Sequence, residues 1–226
     1  MLRAVIFDFD GVITDSEILH FRAFNEVLKP YGCELTKQQY YQTYLGLTDI
    51  DCYKLLIEQG RLDVDVGELP QLVASKTAVF EQLARTEGQI IEGVRDFLGM
   101  LQEHGVPMAI CSGALRAEIE MILEQAGLRN IFGPIISAEQ VSKGKPDPEG
   151  FLLTLEELRA KGLPSVESGQ CIVIEDSHWG LKAARAAGMR VVAVTNTYDA
   201  DQLRDADRVV DRLNELSMND LYALCQ

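Results

Sequence analysis

Two aspartates two residues apart, Asp8 and Asp10, follow directly on the apolar run Ala4-Val5-Ile6-Phe7 and are followed in turn by Gly11. An unbroken apolar run of that length suits a strand buried on both faces. Side chains alternate along a strand, so both carboxylates project to one side, roughly 7 Å apart by the rise per residue, before the glycine lets the chain turn. Like charges that close call for a cation or a shared proton. A hard divalent ion such as Mg2+ takes oxygen ligands, keeps several waters and commonly binds together with a phosphate. The plainer alternative is that both acids only end a strand and begin a turn, where Asp is common.

The elements that must position these acids fall into two rhythms. From Asp15-Ser16 onward the pattern is helical: Phe21, Phe24, Leu28 and Tyr31 recur at spacings of three and four up to Gly32. Thr36 to Gln39 reads as a capping box opening a second helix to about Leu45-Gly46. Asp49 is the expected cap of a third helix ending near Gly60, and Pro70 fits the first turn of a fourth reaching about Thr86. From Gly93 the chain alternates helix and strand. The expected strands are Val106 to Cys111, Pro134 to Ser137, Cys171 to Ile174 and Arg190 to Val194, separated by helices over 94–103, 115–126, 148–158 and an Ala-rich stretch to Gly188. This order predicts an α/β fold with a doubly wound parallel sheet, interrupted by a small helical insert. The core is expected at 1–15 and 87–226 and the insert at 16–86. The insert's periodicity is sufficient for a four-helix bundle, and its place in the chain makes it a cover over the acidic loop.

In such a sheet, ligands bind outside the carboxyl ends of the strands at a topological switch point. Those ends supply Asp8 and Asp10, Ser112 and Gly113, and Glu175 and Asp176. Acids facing a hydroxyl and a helix start suit a metal bound beside an anion. Taken singly, Ser112 and Asp176 also read as ordinary helix N-caps.

Bulk properties narrow the classes. The 226 residues, 47% hydrophobic and 25% charged, are those of a folded globular chain, which sets disorder aside. A formal net charge of −14 argues against general affinity for nucleic acid or an anionic membrane. An anionic substrate would then need local compensation by metal, Lys or backbone N–H groups. Five cysteines, odd in number and without C-x-x-C spacing, fit thiols kept reduced. Met1-Leu2-Arg3 runs straight into a strand with no secretory pattern, and there is no 18-residue apolar span, so a cytoplasmic protein is expected.

Asp8-Phe9-Asp10-Gly11-Val12 resembles the first motif of the haloacid dehalogenase superfamily, in the form used by its aspartate-nucleophile phosphatases and phosphomutases. Ser112 matches the second motif, Lys145 before Pro146 the third, and Glu175-Asp176-Ser177 the fourth. The continuation from Ser16 to His20 is most similar to the beta-phosphoglucomutase-like branch. The resemblance covers essentially the whole chain and implies a Rossmann-like core with a four-helix cap. It implies Asp8 as nucleophile, forming an aspartyl-phosphate, and Asp10 as general acid and then base. Mg2+ would be held by Asp8, Asp176, the carbonyl of Asp10 and Glu175, the last directly or through water. Ser112, Gly113 and Lys145 would hold phosphate oxygens. Ser16, His20 and Gly46 would serve the hinge and substrate end, with His20 coupling cap closure to Asp10; a helix-surface role for His20 stands beside that one.

The expected activity is Mg2+-dependent hydrolysis of a small phosphorylated metabolite, such as a sugar phosphate or phosphoglycolate, by a monomer. A sugar phosphomutase is the alternative. In beta-phosphoglucomutases the corresponding cap loop carries a Lys just before its glycine and an Arg three residues after it, whereas Leu45 and Asp49 stand here, and an acid repels a second phosphate. A non-catalytic metal- and phosphate-binding protein is the reading from another class.

Overall fold

Strand β1 (Ala4–Phe7) is buried along its whole length, as its composition requires. In the computed structural model, which describes residues 1–45, 47–87 and 90–226, it is the centre of a six-stranded sheet. The other strands are β2 (Met108–Cys111), β3 (Ile135–Ile136), β4 (Cys171–Glu175), β5 (Arg190–Val194) and β6 (Arg208–Val210). All five pairings are parallel, in the order β3-β2-β1-β4-β5-β6. The order reverses between β1 and β4, so the switch point lies at their carboxyl ends.

Register and parity decide what those ends present. Ala4 pairs with Cys171 and Ile6 with Val173, and all four pack in one core with Phe151 and Leu155 of α7 (Glu149–Ala160) and Leu181 and Ala184 of α8 (His178–Ala186). The opposite parity sends Phe7 to the other face, edge-on to Phe97 of α5 (Val94–Glu103) and to Phe132. Asp8 and Glu175 continue the first parity, one residue beyond Phe7 and Ile174, which pair with each other. The ladder itself extends this far, because Asp8 N–H donates to Ile174 carbonyl.

The chain divides into two compact units, Met1–Asp15 with Gln89–Gln226, and Ser16–Gly88. The second is helical: α1 (Glu17–Leu28), α2 (Lys37–Gln39), α3 (Asp49–Glu58) and α4 (Leu69–Glu87). Its own core includes Phe24, Leu28, Tyr40, Tyr53, Leu56 and Leu72. The Thr36–Gln39 capping box is present, but only one α-turn comes after it before the chain widens into a π-helix over Tyr40–Tyr44. Tyr40 hydroxyl donates to Glu17 and Tyr44 hydroxyl to Gln59, so these aromatics are packing residues with satisfied polar tips.

Three local expectations are corrected. Thr48, not Asp49, caps α3, its hydroxyl accepting from Asp51 N–H, while Asp49 is the first helical residue. The strand expected from Val106 begins at Met108. Strand β6 has no counterpart among the expected strands: three residues long and flanked by charges, it carries no run of strand length. All five cysteines are buried free thiols. Among the described residues no helix is long and apolar enough to cross a membrane.

Candidate active site

Asp8 leaves β1 into a tight loop held by its own backbone: Ile13 and Thr14 N–H both donate to Phe9 carbonyl, and Gly11 N–H donates to Thr14 carbonyl. Gly11 sits at φ +74°, and a Cβ there would lie 1.9 Å from Asp176 Oδ2, so no other residue fits. Asp10, half-buried, forms an isolated bridge with Thr14 in that loop.

Lys145 reaches this strand end from the loop before α7. Its ammonium lies 2.8 Å from Asp8 Oδ1 and 2.6 Å from Glu175 Oε1, over the Phe151 ring at 5.4 Å. Burial pulls its pKa down, but Asp8 and Glu175 outweigh that and hold the ammonium charged well above its ordinary range. Asp8 Oδ1, although ion-paired, has no aligned hydrogen-bond donor among the described residues.

Glu175 is fully buried and its two oxygens are divided. Oε1 takes Lys145; Oε2 accepts from Asp176 N–H, Ser177 N–H and the Ser177 hydroxyl. A Cβ at position 180 would sit 1.7 Å from Oε1, so Gly180 makes room for this carboxylate over the start of α8. Ser177 caps that helix, its hydroxyl accepting from Gly180 N–H. The alternative of Asp176 as a mere cap is thereby set aside. Asp176 instead turns to Thr197, whose hydroxyl donates to its Oδ2.

Asp8, Glu175 and Asp176 can each bring one carboxylate oxygen to within 4.8 Å of the others, all three buried. Burial raises Asp8 to about 7, with Lys145 pulling down and Glu175 and Asp10 pushing up. Burial and then Glu175 and Asp8 raise Asp176 well above its ordinary value, against the Thr197 hydrogen bond. An all-oxygen donor set, crowded with like charge and including a buried oxygen without an aligned donor, fits a hard divalent cation.

Ser112 follows β2 directly, two residues past Ile110, which pairs with Phe7. It is buried, and its hydroxyl accepts from Ala114 N–H. Helix α6 (Arg116–Gln125) starts after Leu115, so Ser112 is not its N-cap. Gly113 is exposed, with open space beside it.

Ser16 and His20 belong to the helical unit. Ser16 is buried at the start of α1, and its carbonyl accepts from Leu19 and His20 N–H. His20 stacks on Phe80 and its Nδ1 lies 2.6 Å from Lys76 Nζ. An ammonium has only donors, so Nδ1 accepts and the ring proton is on Nε2. Burial, then Lys76, lowers the His20 pKa well below 6.5. Lys76 also pairs with Asp49 Oδ1 at 2.9 Å. Gly46 lies outside the described residues. Lys54 and Lys143 are solvated charges in i,i+3 and i,i+4 pairs, and Trp179 is exposed on α8.

Sequence reasoning misses three residues. Asn196 and Thr197 lie on the loop after β5 and carry no periodic signal. Lys76 has one: it stands in the buried stripe Leu69, Leu72, Lys76, Phe80 and Ala84 of α4, where a cation needs a partner.

A parallel sheet in this order binds ligands at its switch point, and here that point carries three buried acids and the half-buried Lys145. The profile of the haloacid dehalogenase-like hydrolases matches residues 5–194, and the chain belongs to that family. It is 30% identical over 211 residues to a phosphorylated carbohydrates phosphatase of Thermotoga maritima, spanning 92% of this chain and 93% of that protein. It is 32% identical over 196 residues to the fructose-1-phosphate phosphatase YqaB of Escherichia coli, spanning 84% and 95%. The crystal structure of CbbY from Rhodobacter sphaeroides in complex with phosphate superposes with a TM-score of 0.84 at 26% identity, covering 98% of this chain and all of the other.

Proposed function

We propose that this hydrolase is a Mg2+-dependent phosphatase of small phosphorylated carbohydrates, acting through an aspartyl-phosphate on Asp8. The observation that carries the reading is the buried Asp8 carboxylate at the switch point, with the Lys145 ammonium 2.8 Å away and two further buried acids beside it. The relatives named for phosphorylated sugars support the substrate class.

In the first step an Asp8 oxygen attacks phosphorus, the ester P–O bond breaks, and Asp10 gives its proton to the leaving alkoxide. In the second, Asp10 takes a proton from water as the water oxygen attacks phosphorus, and the Asp8–phosphorus bond breaks to release phosphate. Lys145 holds a phosphate oxygen and keeps Asp8 oriented as the ion pair does now. Ser112 hydroxyl and the Gly113 backbone hold a second oxygen, a hydroxyl being able to donate while it accepts. Mg2+ would be held by Asp8, Asp176 and the Asp10 carbonyl, and would supply positive charge against which phosphate and Asp8 approach. Glu175 would join these ligands directly or through water, and it also holds Lys145 and the start of α8 through the donors its oxygens accept from.

Phosphate release from a panel of sugar phosphates, phosphoglycolate and nucleotides, with Mg2+ and with chelator, tests the reading. Mg2+-dependent release from a sugar phosphate supports it. Conversion of beta-glucose 1-phosphate to glucose 6-phosphate, given a trace of hexose bisphosphate and releasing no phosphate, would replace hydrolysis by the mutase.

A further inference from the structure

The loop after β5 reaches back to both halves of the acidic site. Thr195 anchors it to the last strand, its N–H donating to Val210 carbonyl and its hydroxyl to Asp211. One residue on, Asn196 Nδ2 donates to Gly11 carbonyl at 2.7 Å, in the loop that carries Asp8 and Asp10. Next, the Thr197 hydroxyl donates to Asp176 Oδ2. Gly11 completes the junction: its absent Cβ would lie 1.9 Å from Asp176 Oδ2 and 2.9 Å from Thr197 Oγ1, inside the space this hydrogen bond occupies.

We propose that Thr197 is a positioning residue for the metal site, its single hydroxyl proton fixing one oxygen of Asp176 so that the other is presented to the cation; this rests on the metal role proposed for Asp176. The physical need is specific. Asp176 is buried, it ends no helix cap, and its neighbours Asp8 and Glu175 repel it. A carboxylate placed among like charges rotates away unless a donor holds it, and Glu175 is already held by three donors on Oε2. For Asp176 the Thr197 hydroxyl is the side-chain donor, and outer partners of this kind commonly control metal affinity by about ten- to a hundredfold.

The test is calorimetric titration of the whole chain with MgCl2, without substrate, for the parent, Thr197→Val, Thr197→Ser and Asp176→Asn, with the metal-free melting temperature of each. Val keeps the shape and removes the hydroxyl; Ser keeps the hydroxyl. The expected result is a Mg2+ Kd raised at least about tenfold in Thr197→Val and within about threefold of the parent in Thr197→Ser. Should Val not fold, Thr197→Ala gives the same comparison. Parental affinity in the folded hydroxyl-free variant, with affinity lost in Asp176→Asn, overturns the role of Thr197 alone. Parental affinity in Asp176→Asn overturns the metal reading and this inference with it. Equal weakening in Ser and Val also overturns it, because the hydroxyl is then not what matters.

Discussion

Two lysines sit against carboxylates away from open solvent, Lys76 buried in the helical unit and Lys145 half-buried in the other, and their surroundings separate a candidate binding site from a structural pair. Lys76 in the helical unit meets one carboxylate, Asp49 at 2.9 Å, and one neutral imidazole, His20 at 2.6 Å, over the rings of Phe24 and Phe80. Charge there is balanced. Lys145 meets Asp8 and Glu175, with Asp176 in the same cluster, so three acids face one ammonium. Two carboxylates under about 5 Å apart repel by roughly 3 kcal/mol at an effective dielectric of about 20. One lysine cannot cancel that for three, and the remainder is a demand for a cation or for protons; burial first, with Glu175 and Asp10 adding to it against Lys145, raises Asp8 to about 7. A balanced buried pair is complete in itself; an unbalanced one is waiting for a ligand.

The contrast can be broken from either side. Lys145→Met removes the charge proposed to hold phosphate and should lower kcat by about 10²- to 10³-fold, read in a steady-state phosphate-release assay at saturating Mg2+. Lys76→Met should instead act on stability. It leaves the partly exposed Asp49 without its ammonium partner, at a cost of up to about 3 kcal/mol, measurable as a lower urea midpoint, while calorimetric Mg2+ affinity stays at the parental value. Mg2+ itself should stabilise the parent by about 2.7 kcal/mol at a hundredfold excess over its Kd, seen as a rise in melting temperature that Asp176→Asn loses. The smallest effect is on pH. His20 is held neutral in the folded state, whereas the unfolded chain takes up a proton near pH 6.5. Its contribution is therefore complete above 6.5 and is lost as pH falls below it; His20→Gln should flatten that part of the stability profile between about pH 6.5 and 5.

Much of this is legible in the residues because the informative ones are contiguous with buried strands. Ala4 to Phe7 and Cys171 to Ile174 announce themselves as apolar runs, and the residues that end each run stand at the strand end, so Asp8, Glu175 and Asp176 can be placed at one sheet edge before any coordinates. The parallel doubly wound sheet comes from alternation alone. Elements whose formation depends on tertiary neighbours are harder to read. Strand β6 is three residues held by its pairing with β5, and the π-helix at Tyr40–Tyr44 interrupts a segment whose capping box marks only its start. Contacts between loops leave no pattern at all: nothing in Thr195-Asn196-Thr197 points to Gly11 or Asp176, although Gly11 is nearly the length of the chain away. In the sequence Asp49 reads as an acid that would repel a second phosphate, and the structure gives it a partner in Lys76.

Phosphate release by purified Asp8→Asn beside the parent, on whichever sugar phosphate the parent hydrolyses best, tests the nucleophile proposed at Asp8. Asn keeps the shape and the fold, checked by an unchanged circular dichroism spectrum, but cannot form the acyl-phosphate. With Asp8 as nucleophile the variant's rate falls at least about 10³-fold below the parent's. A rate equal to the parent's, at the same Mg2+ concentration, would contradict it and move the reaction to another residue.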